Sequence, residues 1–126
     1  MSEVIMTENK SANVTSRYDL EERTYKFALK VAVVCKRFPK GISNIEYMRQ
    51  LIRSSGSVGA NYIEANEALS KKDFMMRIKI CRKEAKESIY WLKLLMDTNT
   101  EDAKSETIAL INEATELKKI FSSILK

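Results

Sequence analysis

Apolar residues return at alternating intervals of three and four along almost the whole of this chain, and the rhythm is broken at only three places. That spacing keeps them on one face of an α-helix and does not fit the two-residue alternation of a half-buried strand. The first line is Leu20, Thr24, Phe27, Val31, Val34 and Phe38, widened by Ala28 and Cys35. The second is Met48, Leu51, Ser55, Val58, Tyr62, Ala65 and Leu69, helped by Ile52 and Ile63. Phe74, Ile78, Cys81, Ala85, Ser88, Leu92 and Leu95 form the third, with Ile89 and Met96 beside it. Ala103, Thr107, Leu110, Ala114, Leu117, Phe121 and Ile124 form the fourth, with Ile111 and Leu125 alongside.

The breaks carry helix punctuation. Asp19, with Glu22 three residues on, can cap the first helix, and Phe38-Pro39-Lys40-Gly41 ends it because proline has no amide hydrogen to donate. Ser43-Asn44-Ile45-Glu46 reads as a capping box that starts the second helix near Asn44, with Ile42 stapled onto Tyr47. Ser70 to Asp73 reads as a second box, stapled by Leu69 and Phe74, and the apolar phase shifts there. Asp97-Thr98-Asn99-Thr100 closes the third helix. Three glycines and one proline in 126 residues suit long helices, and this length suits one domain. Short connections make sequential helices antiparallel, so the expected fold is all-α: an up-down-up-down antiparallel four-helix bundle over residues 17–126. Residues 1–16 are polar and aperiodic and are expected to form a mobile tail.

Several function classes are disfavoured. The opening residues are acidic and polar where a signal peptide needs a basic start, and no apolar run approaches the roughly 18 residues of a membrane span. The expected setting is cytoplasmic, and Cys35 and Cys81, both inside helical apolar patterns, are expected as buried free thiols. The chain has no histidine, the commonest general acid-base residue. The Glu64/Glu67 and Glu84/Glu87 pairs therefore lack the partner that a di-metal bundle site uses. No metal, no cofactor and no enzymatic activity are expected, and these carboxylates should instead pair with basic residues, as Glu87 with Lys83 one turn earlier.

Ser54 to Asn61 is rich in glycine and serine but lacks the Gly-Lys-Ser/Thr ending of a phosphate-cradling loop. Small residues at these helical positions let another helix approach closely. That packing should offset the cost of Gly56 and Gly59, about 1 kcal/mol each relative to Ala. Within the run Arg53, Ser57, Asn61 and Glu64 make a polar stripe, either solvated or buried against another subunit.

Charge is unevenly spread over a net +5: residues 70–97 carry eight basic against four acidic side chains, while residues 98–126 are net negative. Lys72, Lys79, Lys83, Lys86 and Lys93 run along one face of the third helix, with Lys71, Arg77 and Arg82 nearby. Such a line can follow a phosphate backbone, or it can be an ordinary solvated face neutralised by Asp73, Glu84 and Glu87. Tyr90 and Trp91 beside it can stack on bases or pack in an interface. Trp91 aligns with Ile80, Glu84 and Glu87 rather than with the core line, which suggests a second apolar surface and self-association.

These residues resemble the family of four-helix proteins encoded in intervening sequences of bacterial 23S ribosomal RNA genes. The likeness runs through Asp19-Leu20, Arg23-Thr24, Phe27-Ala28 and Phe38-Pro39, where the family commonly has Leu-Pro. It continues through Gln50-Leu51, Arg53-Ser54, Ser57-Val58, Ala60-Asn61 and Glu64-Ala65. Ser70, Asp73-Phe74, Glu84-Ala85, Glu87 and Trp91-Leu92 complete it, covering residues 18–96, and Gly59 departs from the usual pattern. The resemblance implies a bundle that assembles into a ring-like homo-oligomer, commonly a pentamer, with no established enzymatic activity. The likeness of such bundles to accessory proteins of diversity-generating retroelements implies binding of nucleic acid or of a reverse transcriptase. The expected nucleic-acid contacts are then Lys72, Lys79, Arg82, Lys83, Lys86 and Lys93, and the expected subunit contacts Arg53, Ser57, Asn61, Glu64 and Trp91. The alternative is a protein-interaction module that touches no nucleic acid, its lysines serving solubility.

Overall fold

The computed structural model describes residues 17–126 as four α-helices: α1 (Arg17–Cys35), α2 (Ile42–Asn66), α3 (Lys71–Thr98) and α4 (Lys104–Ile124). The tail expected at residues 1–16 lies outside the described residues. The four apolar lines meet in one core. Phe27, Val31, Leu51, Val58, Ile78, Leu92, Leu95, Leu117 and Phe121 are almost fully buried in it. Hydroxyls at core positions are satisfied: Thr24 Oγ1 donates to Leu20 O at 2.7 Å and Thr107 Oγ1 to Ala103 O at 2.8 Å, each one turn back, and Ser54 and Ser88 bond each other across α2 and α3 at 2.8 Å. A buried hydroxyl without such a partner would cost about 1–3 kcal/mol.

Cross-helix contacts run in reversed chain order, as antiparallel neighbours require. Along α2 and α3, Asn44 meets Asn99, Ser54 meets Ser88, Val58 meets Cys81 and Asn61 meets Arg77. Along α1 and α2, Glu21 meets Asn66 and Thr24 meets Gly59. Between α1 and α4, Arg23 forks onto Glu113 at 2.7 and 2.9 Å, and Arg37, in the turn after α1, pairs with Glu106. The α1/α4 seam is the thinnest of the four.

The helix ends differ in part from the sequence reading. Asp19 sits inside the first turn of α1, which begins two residues earlier. Helix α2 begins at Ile42, with extended Gly41 as its N-cap and no side-chain cap, so the Ser43-Glu46 box is not used. Ile42 is 93% exposed and makes no staple. The junction is held instead by Asn44, whose amide donates to Pro39 O at 2.8 Å and exchanges two 2.9 Å bonds with the Asn99 amide. A tertiary amide pair thus replaces the local cap. At α3 the expected cap forms, Asp73 N–H donating to Ser70 Oγ at 3.0 Å, but Leu69 is 98% exposed and does not staple Phe74. Ile52 and Ile63, expected to help the core, are exposed. Ala103 is buried as expected but precedes α4 in the left-handed region at φ 52.

One of the two mid-helix glycines is explained by packing. A Cβ built on Gly59 would stand 3.0 Å from Thr24 Oγ1, so α1 and α2 approach closely there, while at Gly56 nothing lies within 4 Å. Cys35 and Cys81 are buried free thiols. Burial pushes them up to about 11 and about 12 respectively.

Candidate nucleic-acid interface

The α3 stripe is basic because of where its carboxylates point. Glu84 is only 7% exposed and faces α2, its Oε1 3.3 Å from Arg53 Nη1, near enough for charge pairing but not aligned as a hydrogen bond. Glu87 pairs with the other arm of the same guanidinium and accepts from Trp91 Nε1–H at 3.1 Å. Burial works against the Glu87 charge, but the Trp91 and Arg53 hydrogen bonds, with the Arg53 and Lys83 charges, outweigh it and hold the carboxyl below its ordinary range. Its direct partner is Arg53, not the Lys83 that the sequence spacing suggests. An i, i+3 carboxylate pair on α3 has been turned toward α2 and occupied there.

Lys79, Arg82, Lys83 and Lys86 are consequently left on the outer face without a carboxylate in salt-bridge range among the described residues. They surround an open depression of about 440 Å³, and its far wall comes from α4 as Lys118 and Ser122. Arg82 is half-buried, its Nη1 3.5 Å from Ser122 Oγ. Lys72 and Lys93 are exposed but do not line the depression, each lying two turns, about 10 Å, beyond its ends. Lys118 and Ser122 were absent from the sequence reading. The available signal was their i, i+4 spacing on one flank of the Leu117/Phe121 line, but nothing in that line says which flank faces α3.

The residues expected at a subunit interface are mostly used inside the chain. Ser57 Oγ donates to Arg53 O at 2.9 Å, Asn61 Nδ2 donates to Ser57 O at 2.8 Å, and Arg77 Nη1 donates to Asn61 Oδ1 at 2.9 Å. Trp91 is half-buried, stacked against Tyr47 at 6.0 Å and edge-on to Tyr90 at 4.9 Å. Of that set only Glu64 lies fully on the exposed side without such a role, near exposed Ile63. No group of three or more metal-ligating side chains occurs among the described residues, and none of their helices is long and apolar enough to cross a membrane.

Fold and site together define a four-helix bundle with one outward cationic face. The chain belongs to the 23S rRNA-intervening sequence protein family, whose sequence model matches residues 17–123. It is similar to the crystal structure of a protein with unknown function from the S23 ribosomal protein family of Bacteroides thetaiotaomicron VPI-5482, at 31% identity and a TM-score of 0.72, over 85% of this chain and 98% of that one. No curated protein matches.

Proposed function

We propose that this chain is a non-enzymatic, cytoplasmic, oligomeric bundle that associates with RNA through the cationic face of α3, with a ring such as a pentamer repeating that face around the assembly. The observation that carries the reading is the diversion of Glu84 and Glu87 to Arg53, which leaves Lys79, Arg82, Lys83 and Lys86 without a carboxylate in salt-bridge range among the described residues. An ordinary solvated face would keep its acids among its lysines. Membership of a family named for an intervening sequence of 23S rRNA supports the choice of RNA over other polyanions. Repetition in a ring strengthens weak phosphate binding by raising effective concentration. The thiols fit a non-catalytic role, because groups pushed up to about 11 and about 12 are protonated and poorly nucleophilic near neutral pH.

The test replaces Lys79, Lys83 and Lys86 together with Gln and follows binding of a mixed-sequence RNA from low to physiological salt, with light scattering to establish the assembly. The fold should survive, since all three are exposed. Binding should weaken, and the slope of log affinity against log salt should fall by about 0.7 to 0.9 for each phosphate that is no longer neutralised. A wild-type protein without salt-dependent RNA binding sinks the reading, and a clean 14.5 kDa monomer sinks the ring.

One observation favours a second reading, a protein-interaction module such as an accessory subunit of a reverse transcriptase. The thin α1/α4 seam leaves a groove of about 650 Å³ walled by Phe27, Leu29, Val33, Val34, Ala109 and Leu110, with Lys26 and Lys30 at its rim. If wild type fails to bind RNA, this groove becomes the surface to probe.

A further inference from the structure

We infer that the cup between α3 and α4 is a phosphate-binding site for a polynucleotide, so that the RNA chain crosses the α3/α4 seam at Lys118 instead of following α3 from Lys72 to Lys93. This rests on the RNA reading above and gives it a route.

Each acid of α4 is paired away from α3: Glu113 turns to Arg23 of α1, Glu106 to Arg37 just beyond α1, and Glu116 pairs with Lys119 one turn away. Lys118 is left on the α3 side, where it enters a depression already walled by Lys79, Arg82, Lys83 and Lys86. Five cations thus converge on one concavity of about 440 Å³, with no carboxylate in its wall. Like charges gathered in this way repel one another, and the repulsion is relieved when an anion enters.

The shape separates a cup from a track. The four α3 residues span two turns, about 10 Å, and the cation from the neighbouring helix stands across the depression from them. Lys72 and Lys93 extend the line on α3 but do not line the concavity. The donors suit phosphate oxygens. Arg82, steadied against Ser122 Oγ, offers a planar fork, the lysines act as mobile point charges, and the Ser122 hydroxyl can donate as well as accept. A backbone phosphate and a free polyphosphate present the same oxygens, and the two are separable by experiment.

The experiment uses the full chain and three single substitutions: Lys118→Gln, Lys118→Arg and Lys72→Gln. Anisotropy of a labelled mixed-sequence RNA is read across a salt series, and tripolyphosphate serves as competitor and, alone, as ligand in a thermal-shift assay. Lys118→Gln should weaken RNA binding several-fold and lower the salt slope by about 0.7 per subunit engaged. Lys118→Arg should restore both, showing that the charge and not the fold was removed, and Lys72→Gln should change neither. Tripolyphosphate should displace RNA from the wild type, and its thermal shift should shrink in Lys118→Gln. If RNA binds but Lys118→Gln matches the wild type while Lys72→Gln lowers the slope, the track runs along α3: the cup is refuted and the RNA reading stands. If tripolyphosphate shifts the wild type through Lys118 but RNA does not bind, the polynucleotide assignment and the RNA reading both fall, leaving a free-polyphosphate site. If neither ligand binds, site and reading fall together.

Discussion

Alanine placed at each of the two α2 glycines in turn separates helix propensity from helix packing within one helix. Both glycines lie mid-helix, so each Ala should gain about 1 kcal/mol from backbone entropy and propensity alone. At Gly56 nothing lies within 4 Å of the new Cβ, and the gain should appear in full, raising Tm by about 4 °C for a chain of this size. At Gly59 the new Cβ meets Thr24 Oγ1 at 3.0 Å and Thr24 Cβ at 3.3 Å. Thr24 cannot simply rotate away, because its hydroxyl donates to Leu20 O at 2.7 Å and lies 3.1 Å from Glu21 O inside the core. Overpacking of this kind costs about 1 to 3 kcal/mol, which cancels or exceeds the propensity gain. Gly59→Ala should therefore be at or below wild-type stability and at least about 1 kcal/mol below Gly56→Ala. Gly59→Leu should fall further. Adding Thr24→Ala to Gly59→Ala should cost less than Thr24→Ala costs alone, since it removes Thr24 Oγ1, the nearest opposing atom. Urea titrations followed by far-UV circular dichroism decide the matter, at one protein concentration for all variants because assembly shifts apparent stability. If Gly59→Ala stabilises as much as Gly56→Ala, the close approach of α1 to α2 at this point is wrong.

Neither Cys35 nor Cys81 should react with a maleimide in the folded protein at about pH 8, and both should react in urea; fast native labelling of Cys81 would refute its burial. Because burial raises both thiols above 9.0, their contribution to stability is complete below about pH 9 and is lost as pH rises toward their folded values of about 11 and about 12. Glu87 has the opposite sign: its carboxyl is held below 4.5, so its contribution is present above that pH and is lost as pH falls through the lowered value. Glu87→Gln should flatten acid unfolding in that range, and an unchanged profile would show that the Arg53 clamp adds nothing to folding.

Much of the fold was legible because burial imposes a period. A helix that must hide one side repeats its apolar residues at three and four, and every residue of the first line within α1, from Leu20 to Val34, is buried as that period demands. Capping was less legible because it is local and easily displaced. Ser70 caps α3 as its spacing suggests, whereas the equally good box at Ser43 yields to the Asn44–Asn99 pair, which joins residues far apart in the chain. The site was legible in half. The α3 lysines stand at helical spacing in plain view, but the acids between them, Glu84 and Glu87, read as neutralising partners until Arg53 of α2 is seen to occupy them.

The sequence by itself determined the number of helices, the turns at Pro39 and Ser70, the stripe each helix buries and the residues available for an outer basic face. The tertiary structure alone decided which helix lies on which flank of that stripe. Apolar periodicity fixes the direction of the core but is indifferent to whether the neighbour on a given side is the preceding or the following helix. That choice turns Glu113 and Glu106 of α4 toward Arg23 of α1 and Arg37 just beyond it, and leaves Lys118 beside Lys79, Lys83 and Lys86 of α3. A helix in a net-negative segment thereby adds a cation to the basic face of α3, because a side chain's charge acts on whatever it faces and the heptad does not say what that is.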